Sequence, residues 1–156
     1  MRVEHIRIPE ERFGPAIGND GEVKDRIEEE TGAEIEYDSE SSSITVKGDE
    51  TNPLGVLMAR DVIKAIGRGF SPEKAYDLFK EDMYLDVVDI TRYTGDSKKA
   101  KKRLKGRVIG RNGKTRELIE DYTGTSLSIY GKTIACSGLP EKVQIVREAV
   151  EMLLDG

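Results

Sequence analysis

Apolar positions along this chain alternate between the spacing of strands and the spacing of helices, and the alternation predicts a series of short elements. A strand is predicted near Val3–Ile8, then a short helix before Gly18 and a second helix over Glu22–Glu30. Two strands follow at Ala33–Tyr37 and Ser43–Lys47, bridged by the polar loop Asp38-Ser39-Glu40-Ser41-Ser42. A helix starts after Asn52-Pro53 and runs to about Gly67. An extra helix at about 71–80 has Ser71-Pro72 as cap and first position, with Ala75, Tyr76, Leu78 and Phe79 as its apolar side. The β-branched run Tyr84–Ile90 then predicts another strand, and Lys98–Val108 a basic helix. Lys114–Thr123 reads as a short helix that buries Leu118, Ile119 and Tyr122 and stops at Gly124. Strands Ser126–Tyr130 and Thr133–Ser137 flank a Gly131-Lys132 hairpin turn. From Pro140 onward Val143, Val146, Ala149, Val150, Leu153 and Leu154 keep helical spacing.

The second series repeats the first. Ile17-Gly18-Asn19-Asp20-Gly21 matches Ile109-Gly110-Arg111-Asn112-Gly113, and each copy leads into a helical pattern ending in Thr-Gly. At an offset of 92 residues, seven of sixteen positions are identical, among them Ile27/Ile119, Glu28/Glu120 and Thr31/Thr123. Beyond the next turn the offset falls to 90, with Ile44 against Ile134 and Gly48 against Gly138. A length change of two residues inside a hairpin loop is what a duplicated domain tolerates. Each copy therefore reads β-α-loop-α-β-β-α, an α+β arrangement in which helices pack on one face of a three-stranded antiparallel sheet. The division falls at residues 1–82 and 83–156.

Charge separates the two copies. The chain of 156 residues has a formal net charge of −5. Residues 91–156 hold 14 Lys and Arg against 8 Asp and Glu, whereas residues 1–90 hold 11 against 22. Ten basic residues and no acidic one lie within Lys98–Arg116. Only the second half has the electrostatic footprint of a phosphate binder.

A strand, a helix, Ile-Gly-x-x-Gly, a helix, Thr-Gly, two strands and a helix resemble a type I KH domain, and the chain is identified as two such domains in tandem. That resemblance implies that the loop clamps the backbone of about four unpaired nucleotides. It points to Gly110, Arg111, Asn112 and Gly113, with Arg107, Lys114 and Arg116 adding charge. Lys101, Lys102 and Lys105 of the basic helix lie beside them. Ile109, Leu127 and Ile129 are expected to line the groove under the bases, and Ile119 to be core with one edge exposed. In the first copy Gly18, Asn19 and Gly21 occupy the matching loop. There Asp20 and Glu22 put negative charge where a phosphate would approach.

The order of an acidic KH unit, the linker Arg68-Gly69-Phe70-Ser71-Pro72-Glu73-Lys74-Ala75 and a basic KH unit narrows the resemblance. It resembles the pre-ribosomal RNA-processing factor family known as the partner of the Nob endonuclease. The chain lacks the long N-terminal tail of eukaryotic members and so resembles the archaeal ones. The resemblance implies binding of single-stranded small-subunit ribosomal RNA near its 3′ end during maturation. Protein partners would be the nuclease or the translation initiation machinery. A reading of another class also stands: an interaction scaffold whose acidic unit docks a basic partner, with RNA secondary.

The remaining features exclude more than they add. Gly113-Lys114-Thr115 and Gly131-Lys132-Thr133 resemble the end of a P-loop. The glycine that motif needs five places earlier is Val108 or Ser126, so no triphosphate site is expected. His5 and Cys136 have no companions at ligand or catalytic spacing, so neither metal, cofactor nor enzymatic chemistry is expected. A single cysteine, no secretory pattern and no long apolar run fit a cytoplasmic protein without a membrane segment.

Overall fold

The structure is a computed structural model that describes residues 1–156, and its contacts divide it into two compact units, Met1–Glu81 and Asp82–Gly156. In the first unit the elements are β1 (Arg2–Arg7), α1 (Phe13–Ile17), α2 (Glu22–Thr31), β2 (Glu34–Asp38), β3 (Ser43–Gly48), α3 (Pro53–Gly67) and α4 (Pro72–Ala75). A 3-10 turn over Tyr76–Phe79 continues α4. The second unit has β4 (Tyr84–Asp89), α5 (Thr91–Thr94), α6 (Lys98–Ile109), α7 (Lys114–Thr123), β5 (Ser126–Tyr130), β6 (Thr133–Gly138) and α8 (Pro140–Asp155).

Each unit closes one three-stranded antiparallel sheet, in the order β1-β3-β2 and β4-β6-β5. The hairpins explain the slip in the repeat. Asp38 pairs with Ser43 around four loop residues, whereas Tyr130 pairs with Thr133 around two. Alternation along β3 buries Ile44 and Val46, and helices α2 and α3 contribute Ile27, Val56, Ile63 and Ile66 to the same core. In the second unit Val88, Ile90, Leu104, Val108, Ile134, Val143, Val146 and Val150 form the equivalent cluster.

The identities between the copies are structural fastenings. The Thr31 hydroxyl donates to the Ile27 carbonyl (2.7 Å) and accepts from the Ala33 amide (3.2 Å). Thr123 makes the same pair with Ile119 (2.6 Å) and Thr125 (3.3 Å). Glu28 accepts from the Ile35 amide at 2.9 Å, and Glu120 from the Leu127 amide at 2.8 Å, tying helix to strand. A further match lies outside the aligned segment. Arg60 of α3 pairs with Glu4 of β1 at 2.9 Å, and Arg147 of α8 pairs with Asp86 of β4 at 2.8 Å.

Two features differ from the sequence reading. Helix α5 was not expected; the Asp89 carboxylate builds it by accepting from the Thr91 amide (2.9 Å) and hydroxyl (2.6 Å). Those two bonds hold the Asp89 carboxyl below its ordinary pKa. The predicted inward face of α7 is also corrected. Leu118 is 69% and Tyr122 88% exposed, and only Thr123 of that helix is fully buried. Of the three residues assigned to the core, Ile119 alone reaches it, and only in part.

Candidate nucleic-acid interface

The loop between α6 and α7 is fixed by two glycines with different duties. Gly110 has φ 76° and ψ 174°, a combination essentially confined to glycine. A Cβ there would strike the Thr115 side chain and lie 2.7 Å from the Thr115 amide nitrogen. Its requirement is therefore internal, because the loop folds against the first turn of α7. Gly113 is left-handed at φ 74°, and a Cβ there would meet nothing within 4 Å. The open space in front of this second glycine is where an approaching backbone gains room. Between them Asn112 is left-handed (φ 56°), as short polar side chains allow.

Past Gly113 the first turn of α7 has no side-chain cap. Its free N–H groups and the positive end of the helix dipole face the loop, a ready anion site. Arg111, Asn112 and Lys114 are exposed around it, and Lys114 makes no ion pair. Arg116 is partly engaged, 3.7 Å from Glu120.

Helix α6 supplies the rest. Lys98, Lys101, Lys102 and Lys105 fall at i, i+3, i+4 and i+7, so they form one stripe. None of the four has a carboxylate partner. They wall an open groove whose floor is Gly106 and Ile109 and whose far side is Gly131, at the β5–β6 turn. Gly106 and Gly131 are not among the residues picked from the sequence, whereas Lys98 opens the basic run Lys98–Lys105 that is.

Not every predicted residue reaches this groove. Leu127 is 5% exposed and belongs to the core, so it is corrected from a groove residue to a packing residue. It shares a strand face with Ile129, but Ile129 sits nearer the hairpin turn and stays half-buried. Ile119 faces the other side of α7, toward α8. The Arg107 guanidinium lies 3.5 Å from the Leu153 carbonyl, turned to the end of α8.

The first unit has the same loop without the charge. Gly18 (φ 82°, ψ 174°), Asp20 (φ 53°) and Gly21 (φ 78°) superimpose in conformation on Gly110, Asn112 and Gly113. Asn19 stands where the second unit has Arg111, and Asp20 and Glu22 where it has Asn112 and Lys114. Helix α1 is five residues long and has no lysine stripe.

Comparison with known proteins agrees with this geometry. Residues 84–156 match the family described as eukaryotic type KH-domain (KH-domain type I), and residues 3–65 match the KH domain family. A KH domain-containing protein of Methanocaldococcus jannaschii is 47% identical over 156 residues, covering 99% of this chain and 68% of its own length. The chain belongs to the two-KH-domain family. Within that family, RNA-binding protein pno1 of Dictyostelium discoideum is 26% identical over 161 residues, covering 99% of this chain and 66% of its own length. RNA-binding protein PNO1 of Oryzias latipes is 27% identical, and the chain spans 63% of its length. Among solved structures, Dim2p from Pyrococcus horikoshii OT3 superimposes with a TM-score of 0.91 at 40% identity, over 99% of this chain and 91% of that one. The a/eIF2alpha–aDim2p–rRNA complex from the same organism contains a chain with a TM-score of 0.91 at 40% identity, covering 99% of this chain and 86% of that one.

Proposed function

We propose that this protein is an RNA-binding factor of ribosome assembly whose second unit grips single-stranded RNA. The observation that carries the reading is the contrast between two loops of one backbone conformation. Only Gly110–Gly113 combines an uncapped helix start, exposed Arg111 and Lys114, and an unpaired lysine stripe. The RNA backbone lies across Gly113 and the first turn of α7. The bases enter the groove between α6 and the β5–β6 turn, over Ile109 and Ile129. Gly18, Asn19 and Gly21 of the first unit contribute weakly, because Asp20 and Glu22 repel phosphate. The rRNA complex of the Pyrococcus relative supports ribosomal RNA as the target, and the narrower target proposed, the small-subunit RNA near its 3′ end, is what the family resemblance implies. That complex also makes translation initiation machinery a candidate protein partner, beside the Nob endonuclease.

The test changes Arg111→Asp and Asn112→Asp together. Asp20 already occupies the matching left-handed position in the first unit, so an aspartate at 112 leaves the loop conformation intact. RNA affinity should fall on the order of a hundredfold, since a phosphate partner is lost and two carboxylates face the backbone. The loss should be similar for unrelated RNA sequences, because phosphate contacts position and base contacts specify. An unchanged melting temperature with unchanged affinity removes this loop as the grip. Crosslinking of bound RNA in cells tests the narrower claim, and a map away from the small-subunit 3′ end overturns it.

A further inference from the structure

The first unit carries a cover that the second lacks. Helices α3 and α8 begin at Pro53 and Pro140, and Arg60 and Arg147, at the same helical position, both reach a strand carboxylate. That match places Met58, Ala59, Val62 and Ala65 of α3 against Ile145, Val146, Ala149 and Met152 of α8. On the other helix, Arg26 and Glu30 of α2 correspond to Leu118 and Tyr122 of α7.

In the first unit this face is closed. Ala59, Val62 and Ala65 are 0% exposed, and α3 packs against α4 and the 3-10 turn after it. Ala75 and Leu78 of that segment are buried, and Tyr76 stacks on Phe79 with ring centroids 5.3 Å apart. The guanidinium of Arg26 lies over the Tyr76 ring at 4.7 Å, which ties the segment to α2. In the second unit the corresponding face is open. Leu118, Ile119, Tyr122, Ile145, Val146 and Ala149 line an apolar groove between α7 and α8. Met152, one turn past Ala149, is 74% exposed, and its counterpart Ala65 is fully covered. Ile119 is half-buried where its identical counterpart Ile27 is 0% exposed.

We propose that this α7/α8 face docks a short amphipathic helix of a partner protein. The helix carries two or three large apolar residues, one aromatic, flanked by lysine or arginine. The first unit shows the shape of the occupant: about two turns of helix laid across two helices, with Ala75 and Leu78 facing down and Tyr76 and Phe79 stacked and half-buried beside them. The rim supplies the charge preference. Asp121 lines the groove, and Glu117 and Glu148 are exposed on the same two helices, against Lys114 one turn before Leu118 and Lys142 one turn before Ile145, so acidic groups outnumber basic ones there. A basic flank is drawn to that rim, whereas an RNA backbone is repelled by it. An exposed apolar patch rimmed by charge is the usual mark of a protein-binding surface. The site is independent of the RNA grip.

The probe is a peptide of residues 70–80 in which Glu73→Lys and Asp77→Lys make the residues around its apolar side basic. Titrated into the isotopically labelled full chain, it should shift the resonances of Leu118, Tyr122, Ile145 and Met152. The parent peptide should bind more weakly. Leu118→Glu with Tyr122→Glu should weaken binding at least tenfold. Met152→Glu alone should weaken it by less. Both variants should melt as the unaltered protein does, because the changed side chains are exposed. Their affinity for RNA should also be unchanged. Absence of binding, or binding that the variants do not weaken, overturns the proposal. Displacement of the peptide by single-stranded RNA at the same residues overturns it in favour of a nucleic-acid surface. Self-association of the full chain that Leu118→Glu and Tyr122→Glu abolish assigns the face to a second copy instead.

Discussion

At the scale of single residues, the fold uses glycine and cysteine in ways the local geometry makes testable. Gly110→Ala meets two obstacles together, a backbone region essentially closed to alanine and a collision with Thr115. It should cost about 3 kcal/mol or more of stability. Gly113→Ala meets only the left-handed backbone and open space, and about 1 kcal/mol is expected. Urea denaturation of the two variants should therefore separate them clearly. Cys136 is 5% exposed on the central strand β6, and burial pushes its thiol pKa up to about 11. The native protein at pH 8 should be inert to alkylation at that thiol, and the unfolded chain should react. The sign for stability follows from the same shift. An unfolded thiol ionises near its ordinary value of about 9, while the folded one keeps its proton to about 11. Raising the pH through that window thus favours unfolding. Melting temperature should fall less steeply from pH 8 to 10.5 in Cys136→Ala than in the unaltered protein.

At the scale of elements, what repeats is the set of bonds that hold a helix to the strand after it. The Glu28 carboxylate accepts the Ile35 amide and the Glu120 carboxylate the Leu127 amide, so α2 and α7 are bolted alike. Hydrogen bonds to charged groups contribute about 1.5–3 kcal/mol. Glu28→Ala and Glu120→Ala should each lose about 1.5 kcal/mol in chemical denaturation, and the glutamine variants less. These fastenings made the duplication legible, because a buried threonine or a strand-capping glutamate has few substitutes. The three-stranded antiparallel sheet of each copy and the two-residue difference between their hairpins followed from it, whereas the strand order did not. The orientation of α7 was not legible: Leu118, Ile119 and Tyr122 have helical spacing whether the stripe faces a core or an open surface. Nor was α5, which depends on an aspartate–threonine bond rather than on any periodicity. In β5 the alternation correctly put Leu127 and Ile129 on one face, but distance from the turn decides which of them surfaces.

For the whole molecule, the division at Glu81/Asp82 redraws the charge balance. Met1–Glu81 hold 11 basic and 19 acidic side chains, and Asp82–Gly156 hold 14 and 11. The second unit is thus only mildly basic on average, and its footprint comes from placing the positive charge along α6 and the loop. Transplanting that loop chemistry is a direct test. Asn19→Arg, Asp20→Asn and Glu22→Lys, added to the chain already carrying Arg111→Asp and Asn112→Asp, should recover part of the lost RNA affinity. The gain should be on the order of 1 kcal/mol or less per charge, measured by titration at two salt concentrations, because α1 offers no lysine stripe. Full recovery would show that the loop suffices without α6.

The strand order has a consequence for the chain during its synthesis. Strands β1, β2 and β3 all lie within the first 48 residues, and α3 with its cover is complete by Phe79. Domains generally fold as units, the N-terminal one first, as the chain leaves the ribosome. The acidic unit can therefore close its sheet and cover its core before any of the α6 lysines emerges from the translating ribosome. When that basic segment emerges beside ribosomal RNA, it is already tethered to a folded body of net charge −8. A body of that charge repels phosphate, which discourages premature sticking of the emerging chain to the nearest RNA.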